Sequence, residues 1–324
     1  MFYYLRITSQ YGLALLAALV VNFLLPRLAP GDPLNSLLSS EVVETMSAQA
    51  REAMRAELGI SGSLFEQFLR YIQHMLTGDF GNSLVLGMPV WDALAQRLPW
   101  TLLLMGAALL VSTVLGTLLG VISAWQRGRF ADVAVMGGVL FLGALPSFWV
   151  AMMLIIVFCT GLGWLPSFGA YQLGTSYPDA NWFIGIAKRM ILPVAALSVY
   201  QLASVLLIVR SSMQIAQGQD YVLFARARGV SERAIFFRHA LRNALLPLYT
   251  HTMLGLGALI GGSLVIETVF SYPGLGSLIV MGVNARDYLL LQGIFVLTSV
   301  SVILANFLTD LAYPRIDPRS RRGE

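Results

Sequence analysis

The sequence predicts an all-α integral membrane protein with six transmembrane helices and a helical insertion outside the membrane after the first. Three observations carry this reading. Of 324 residues, 57% are hydrophobic and 12% charged, about half the charged share that a soluble domain needs to cover its surface. Mean hydropathy is +0.72. Scanning for the roughly 20 apolar residues that cross a bilayer finds six segments, at about 9–28, 100–124, 133–160, 190–211, 245–267 and 288–313. A cytosolic enzyme and a nucleic-acid binder are thereby excluded, and membrane lipid becomes the first expected partner.

The first segment follows Arg6, but Val20-Val21-Asn22-Phe23-Leu24-Leu25 carries no small-residue cleavage site, so it reads as a retained anchor rather than a signal peptide. Six spans put both termini on one side. With the termini cytoplasmic, 13 of the 21 basic residues fall inside, and the inner and outer segments carry +7 and −3. That is the orientation the positive-inside rule selects. The single Cys159 excludes an intramolecular disulfide and a cysteine zinc cluster.

The sequence divides into residues 1–28 (amino terminus and first span), 29–99 (outer insertion), 100–314 (the membrane core) and a cytoplasmic tail, 315–324. Ala29-Pro30-Gly31-Asp32-Pro33 stops the first helix. Two amphipathic stretches follow, Glu41 to Leu58 and Leu64 to Met75, the second placing Phe65, Phe68, Leu69 and Ile72 on one side.

The core carries a long cytoplasmic loop, 212–244. Asp220 accepts hydrogen bonds from the first amides of one short helix, Gly229 ends it in the left-handed conformation, and Ser231 with Glu232 starts another. The faces of these helices mix Phe224, Ala225, Ala227, Ile235, Phe236, Phe237, Ala240 and Leu241 with arginines. So much apolar surface needs a cover, and charge attraction to anionic lipid does not require the phenylalanines.

The residues offer no engine. Gly-x-x-x-x-Gly-Lys-Ser/Thr does not occur, the one lysine is Lys188, and His74, His239 and His251 lie in three distant segments. Glu267 and Asp310 sit near span ends, so ion coupling through buried charges has little to work with. Gly116 and Gly120, and Gly257 and Gly261, have the spacing of closely packed helices, while Pro146 and Pro193 interrupt helical hydrogen bonding. A bundle without its own energy source, presenting two short helices to the cytoplasm, is built to be driven by a partner. An ion-coupled secondary carrier and a static anchor for a cytoplasmic complex are the rival readings.

Asp220-Tyr221-Val222-x-x-Ala225-Arg226-Ala227-Arg228-Gly229, followed by Arg238-His239-Ala240-Leu241-Arg242-Asn243-Ala244-x-x-Pro247, resembles the cytoplasmic coupling motif of ATP-binding-cassette (ABC) importer permeases. It is most similar to the B-type permease of the dipeptide, oligopeptide and nickel group. Pro30-Gly31-Asp32-Pro33, Gly78-Asp79-Phe80-Gly81-x-Ser83, Arg97-Leu98-Pro99-x-Thr101-Leu102, Glu267-x-x-Phe270-Ser271-x-Pro273-Gly274-Leu275-Gly276, Arg286-Asp287-Tyr288 and Asp317-Pro318-Arg319 agree in order along nearly the whole chain. The chain departs from the broader motif at Leu223-Phe224-Ala225, in place of Glu-Ala-Ala, and at Arg242, in place of Pro. Both variants are usual in the B-type branch. Gly59 to Leu64 also lacks an Asp-x-Pro that relatives often show.

The resemblance implies the type I ABC importer permease fold in a bacterial or archaeal inner membrane. The implied partners are a paralogous C-type permease, two ABC ATPase subunits and an extracytoplasmic solute-binding protein. The chain itself is expected to be non-catalytic and to bind no cofactor or metal, ATP and Mg being held by the ATPases. Tyr221, Phe224, Ala225, Ala227, Arg228 and Gly229 are assigned to the ATPase contact, with Arg238, His239, Leu241 and Asn243 bracing it. Di- and oligopeptides are the expected cargo. Nickel chelates, glutathione and other small solutes use the same architecture.

Overall fold

The computed structural model describes residues 2–28, 45–57, 61–171, 174, 179–259 and 263–316. The turn at 29–33, Gly261 and the 317–319 block therefore lie outside the described residues. Two compact units emerge. The first comprises residues 1–101, 260–268 and 273–304; the second comprises 102–259, 269–272 and 305–324.

The first unit opens with α1, Phe2–Leu28, whose Ile7–Leu25 is long and apolar enough to cross a membrane. Two helices of the insertion follow, α2 (Ala48–Glu57) and α3 (Leu64–Thr77). A capping box starts α3. Ser63 Oγ accepts from the Glu66 amide at 3.3 Å and Glu66 Oε2 accepts from the Ser63 amide at 2.8 Å. Gly78, at φ 71°, ends the helix. The apolar side of α3 differs from the sequence expectation. Phe68, Tyr71, Ile72 and Met75 pack around Phe23 and Val296, whereas Phe65 and Leu69 are exposed. Phe68 and Tyr71 meet Phe23, their ring centres 5.2 and 5.6 Å from its own.

Beyond α3 a two-residue hairpin, β1 (Asn82–Ser83) with β2 (Met88–Pro89), pairs antiparallel, Ser83 opposite Met88. It leads directly into α4, Val90–Trp125. At 36 residues this helix is longer than the roughly 30 Å hydrocarbon layer requires. Its first turns, with Val90, Ala93 and Leu94, are buried against Leu275 and Leu278 of α12 (Leu275–Ala285) and Leu290 and Ile294 of α13 (Tyr288–Ile316). Asn22 donates to Phe295 O at 3.1 Å and Ser299 Oγ at 2.9 Å, a polar clasp between α1 and α13. Asp287 caps α13, accepting from Ser83 Oγ, the Leu84 amide and the Leu290 amide at 2.7, 2.8 and 3.0 Å.

The second unit begins within α4 and continues with α5 (Phe130–Ala144) and α6 (Ser147–Leu154), which runs on as a π-helical turn, Ile155–Gly161. The segment 133–160 is thus not one straight rod. The two arms meet at 99°. Pro146 causes the break, lacking an amide hydrogen and holding Leu145 extended at φ −74°, ψ 141°. Pro193, by contrast, sits inside the unbroken α7, Ala180–Gln217.

The remaining helices are α8 (Asp220–Ala227), α9 (Glu232–Ala234) with a π-helical continuation Ile235–Ala240, α10 (Leu241–Ala258), and, back in the first unit, α11 (Leu264–Val269). The stretch expected as the fifth span is therefore α10 and α11 on either side of residues outside the described set. Among the described residues four helices are long and apolar enough to cross a membrane, and the bent pair makes a fifth. Gly116 and Gly120 do what their spacing suggested. A Cβ on either would come within 3 Å of Val205 or Val209 of α7.

Candidate coupling segment and its support

The segment expected to be gripped, 220–243, is built from the local rules first. Gln219, not Asp220, occupies the cap position of α8 and makes no side-chain cap bond; Asp220 lies in the first turn. Its charge still favours the positive helix end. A Schellman closure ends α8, with the Gly229 amide donating to Arg226 O at 2.9 Å and the Val230 amide to Ala225 O at 3.1 Å. That closure needs φ 77° at Gly229, a conformation that costs other L-residues about 1 kcal/mol or more. Ser231 then caps α9, accepting from the Ala234 amide at 3.4 Å.

Between the two helices Arg226 forms a fork with Glu232, Nε to Oε1 at 2.7 Å and Nη2 to Oε2 at 3.2 Å. The hydrogen bond from Arg226 holds the Glu232 carboxyl below its usual range, and its partner raises the Arg226 guanidinium.

Packing sorts the expected site residues into two groups. Val222, Ala225 and Ile235 are buried together as the small core of the segment. Tyr221, Leu223 and Phe224 face outward, Phe224 being 71% exposed, and Ala227, Arg228 and Gly229 are exposed beside them. Ala225 therefore supports the outer face from beneath. Of the apolar residues expected at the surface, Ile235, Phe236 and Ala240 are buried, while Phe237 is exposed. Ala240, Ala244 and Leu248 join Val205, Val209 and Met213 of α7 in the core of the second unit, with Leu241 packed against its edge. Arg238 is exposed; His239 lies within the π-helical stretch and Asn243 in the first turn of α10. So α8 is borne on the π-helical stretch through Ile235, and that stretch is borne on α7 through Phe236 and Ala240.

Residues that sequence reasoning counted only as charges complete this neighbourhood. A groove of about 400 Å³ beside the segment is lined by Trp125, Arg127, Arg129, Gln217, Arg226 and Phe236, among others. The Trp125 ring meets Phe236 edge-on at 4.6 Å. The turn carrying Arg127 and Arg129 has Gly128 at φ 76°, and the Gly128 amide donates to Asp132 Oδ2 at 3.0 Å. Ser123 Oγ donates to the same carboxylate. The available signal was Gln126-Arg127-Gly128-Arg129, a glycine turn between two apolar runs. Among the described residues no group of three or more His, Cys, Asp or Glu is placed to hold a metal ion.

The family described as "binding-protein-dependent transport system inner membrane component" matches residues 116–322. The chain belongs to this family. Relatives agree over almost its whole length. The oligopeptide transport system permease protein AppB of Bacillus subtilis (strain 168) is 36% identical over 323 residues, covering 98% of both chains. The protein "Probable peptide ABC transporter permease protein y4tP" of Sinorhizobium fredii is 37% identical over 316 residues, covering 98% of this chain and 97% of its own. A solved inward-facing structure of the MetNI methionine ABC transporter superposes with a TM-score of 0.55 at 18% identity, covering 69% of this chain and 96% of that one. The fold is that of type I ABC importer permeases, and the chain is a multi-pass membrane component of such an importer.

Proposed function

We propose that the chain is the non-catalytic permease subunit of an ATP-driven importer of di- and oligopeptides. It would form the pathway with a paralogous C-type permease, in a bacterial or archaeal inner membrane with both termini cytoplasmic. In this reading 1–28 and 100–314 build the membrane part, 29–99 meets an extracytoplasmic solute-binding protein, and 220–243 engages one of two ABC ATPases. ATP and Mg are held by those ATPases. One observation carries the assignment: Tyr221, Leu223 and Phe224 project from α8 while Val222 and Ala225 anchor it on Ile235. An exposed aromatic on a rigid, separately anchored helix fits the anchor-in-pocket pattern of strong interfaces. The peptide names of relatives at 36% and 37% identity support the cargo.

Closing the ATPases on ATP would pull α8 inward, and its motion would reach α7 through Ile235 and Phe236 and turn the pathway outward. The test is uptake by the assembled transporter in proteoliposomes, with ATPases and binding protein present. Gly229→Pro, which forbids φ 77°, and Ala227→Arg should leave basal ATP hydrolysis intact and abolish uptake of dipeptides. Unchanged uptake in both variants would overturn the site assignment. Uptake by the chain without any ATPase, collapsing with an ion gradient, would overturn the function in favour of a secondary carrier. Uptake of nickel chelates or glutathione in place of peptides would overturn the cargo alone.

A further inference from the structure

The first unit holds a cavity of about 190 Å³, lined among others by Arg27, Arg70, Tyr71, His74, Tyr288 and Gln292. Its polar chemistry is strongly one-sided. Two guanidiniums face it and, among the described lining residues, no carboxylate does. Arg27 is held by neutral acceptors, Nε donating to Gln67 Oε1 at 3.0 Å and Nη1 to Phe23 O at 2.8 Å, with its guanidinium 3.8 Å above the centre of the Phe23 ring. Arg70 likewise donates to Ser61 through the carbonyl and hydroxyl oxygens. These contacts orient both cations.

Tyr71 and Gln292 line the same space. Tyr71 is 6% exposed and Gln292 8%, and neither the Tyr71 hydroxyl nor the Gln292 amide nitrogen has a hydrogen-bond partner among the described residues. A buried unpaired polar group costs roughly 1–3 kcal/mol, so each of the two calls for an acceptor. Burial pushes the Tyr71 phenol up to about 12, against the pull of Arg27, so it remains an O–H donor at any physiological pH. Among the described lining residues Met75, Phe80 and Leu289 form an apolar wall. A space of about 190 Å³ is well above the roughly 10–15 Å³ that one water needs, so it admits a small organic group.

We propose that this cavity binds a carboxylate carried on a small apolar body, with Arg27 and Arg70 supplying charge and Tyr71 and Gln292 donating hydrogen bonds. A planar carboxylate matches the guanidinium fork, and the apolar wall receives the few carbons behind it. The carboxylate belongs either to a free short acid or to the last residue of a peptide. The site shares no residue with the coupling segment and does not rest on the peptide reading.

The test uses the full chain in nanodiscs at low salt, titrated calorimetrically with N-acetyl-alanine, N-acetyl-alanine amide, trialanine and inorganic phosphate. The acid should bind at least about tenfold more tightly than its amide, the loss expected for one charge-assisted hydrogen bond, and more tightly than phosphate. Tyr71→Phe and Gln292→Met each remove an unpaired buried atom, so both should unfold no earlier than the wild type, yet each should weaken acid binding about tenfold. Trialanine binding as tightly as N-acetyl-alanine identifies a peptide terminus as the source, and weaker binding identifies a free acid; either outcome supports the site. Equal affinity for acid and amide, affinity no better than for phosphate, or unchanged binding in both variants would overturn it.

Discussion

Arg210 donates Nε and Nη2 to the two carboxylate oxygens of Asp132, at 3.1 and 3.0 Å, and so fastens α7 to the first turn of α5. The Asp132 side chain is 6% exposed and that of Arg210 23%. The same carboxylate holds Ser123 and Gly128, so one ion pair fixes α4, the Arg127-Gly128-Arg129 turn, α5 and α7 within the second unit. Arg210→Gln leaves a buried carboxylate without its cation, at a cost of roughly 3 kcal/mol. A lowered unfolding midpoint in nanodiscs checks this, and adding Asp132→Asn should restore most of the loss. No shift in the single variant would show that the pair contributes nothing.

Close approach of α4 to α7 gives a second prediction. A Cβ on Gly120 would lie 2.9 Å from Val209 Cβ and 3.0 Å from the Leu206 carbonyl, whereas one on Gly137 meets nothing within 4 Å. Gly120→Ala should therefore cost about 1–3 kcal/mol through overpacking. Gly137→Ala should gain roughly 0.5–1 kcal/mol from helix propensity. Thermal unfolding of the two variants side by side decides, and a gain in both would remove the close-packing account.

Exposure makes Phe224 a clean probe of the proposed ATPase contact. At 71% exposed, its truncation to alanine should alter the stability of the isolated chain by less than about 0.5 kcal/mol. If the ring is an interface anchor, the same change weakens ATPase association by about 2 kcal/mol, or roughly 30-fold. Val222→Asp should behave in the opposite way, because Val222 is fully buried and the chain itself is damaged. Association measured by pull-down or interferometry with purified ATPase separates the cases.

Acid should act on the hinge between α8 and α9. Arg226 holds the Glu232 carboxyl below its usual 4.5. A carboxyl lowered in the folded state contributes fully above its unfolded pKa, and that contribution disappears as pH falls through the lowered value. Hydrogen-exchange protection at Val230–Ile235 is thus expected to be level from neutrality down to about pH 5 and to fall below about pH 4. The fall should be absent in Glu232→Gln, and an equal fall in that variant would assign it to another group.

Much of the coupling segment was legible in the sequence because its signals are local. Gly229 ends α8 and Ser231 starts α9 through contacts within a few residues of themselves, and Pro146 breaks its helix through its own ring. Where the sequence erred, burial decided. Phe236 and Ile235 look as available as Phe224, but in the π-helical stretch they meet Trp125 and Val222. Spacing puts Phe65 and Leu69 on one side with Phe68 and Ile72, while the stripe that packs around Phe23 is Phe68, Tyr71, Ile72 and Met75.

The sequence by itself determined the membrane class, the family motif and the ends of the short helices, because apolar length and capping depend only on neighbours in the chain. Tertiary structure alone decided the 99° meeting of the two arms around Pro146, the Asp132–Arg210 clasp across 78 positions, and the gathering of Arg27, Arg70, Tyr71 and Gln292 around one cavity. These depend on which faces are buried together, and helical periodicity names a face without naming its partner.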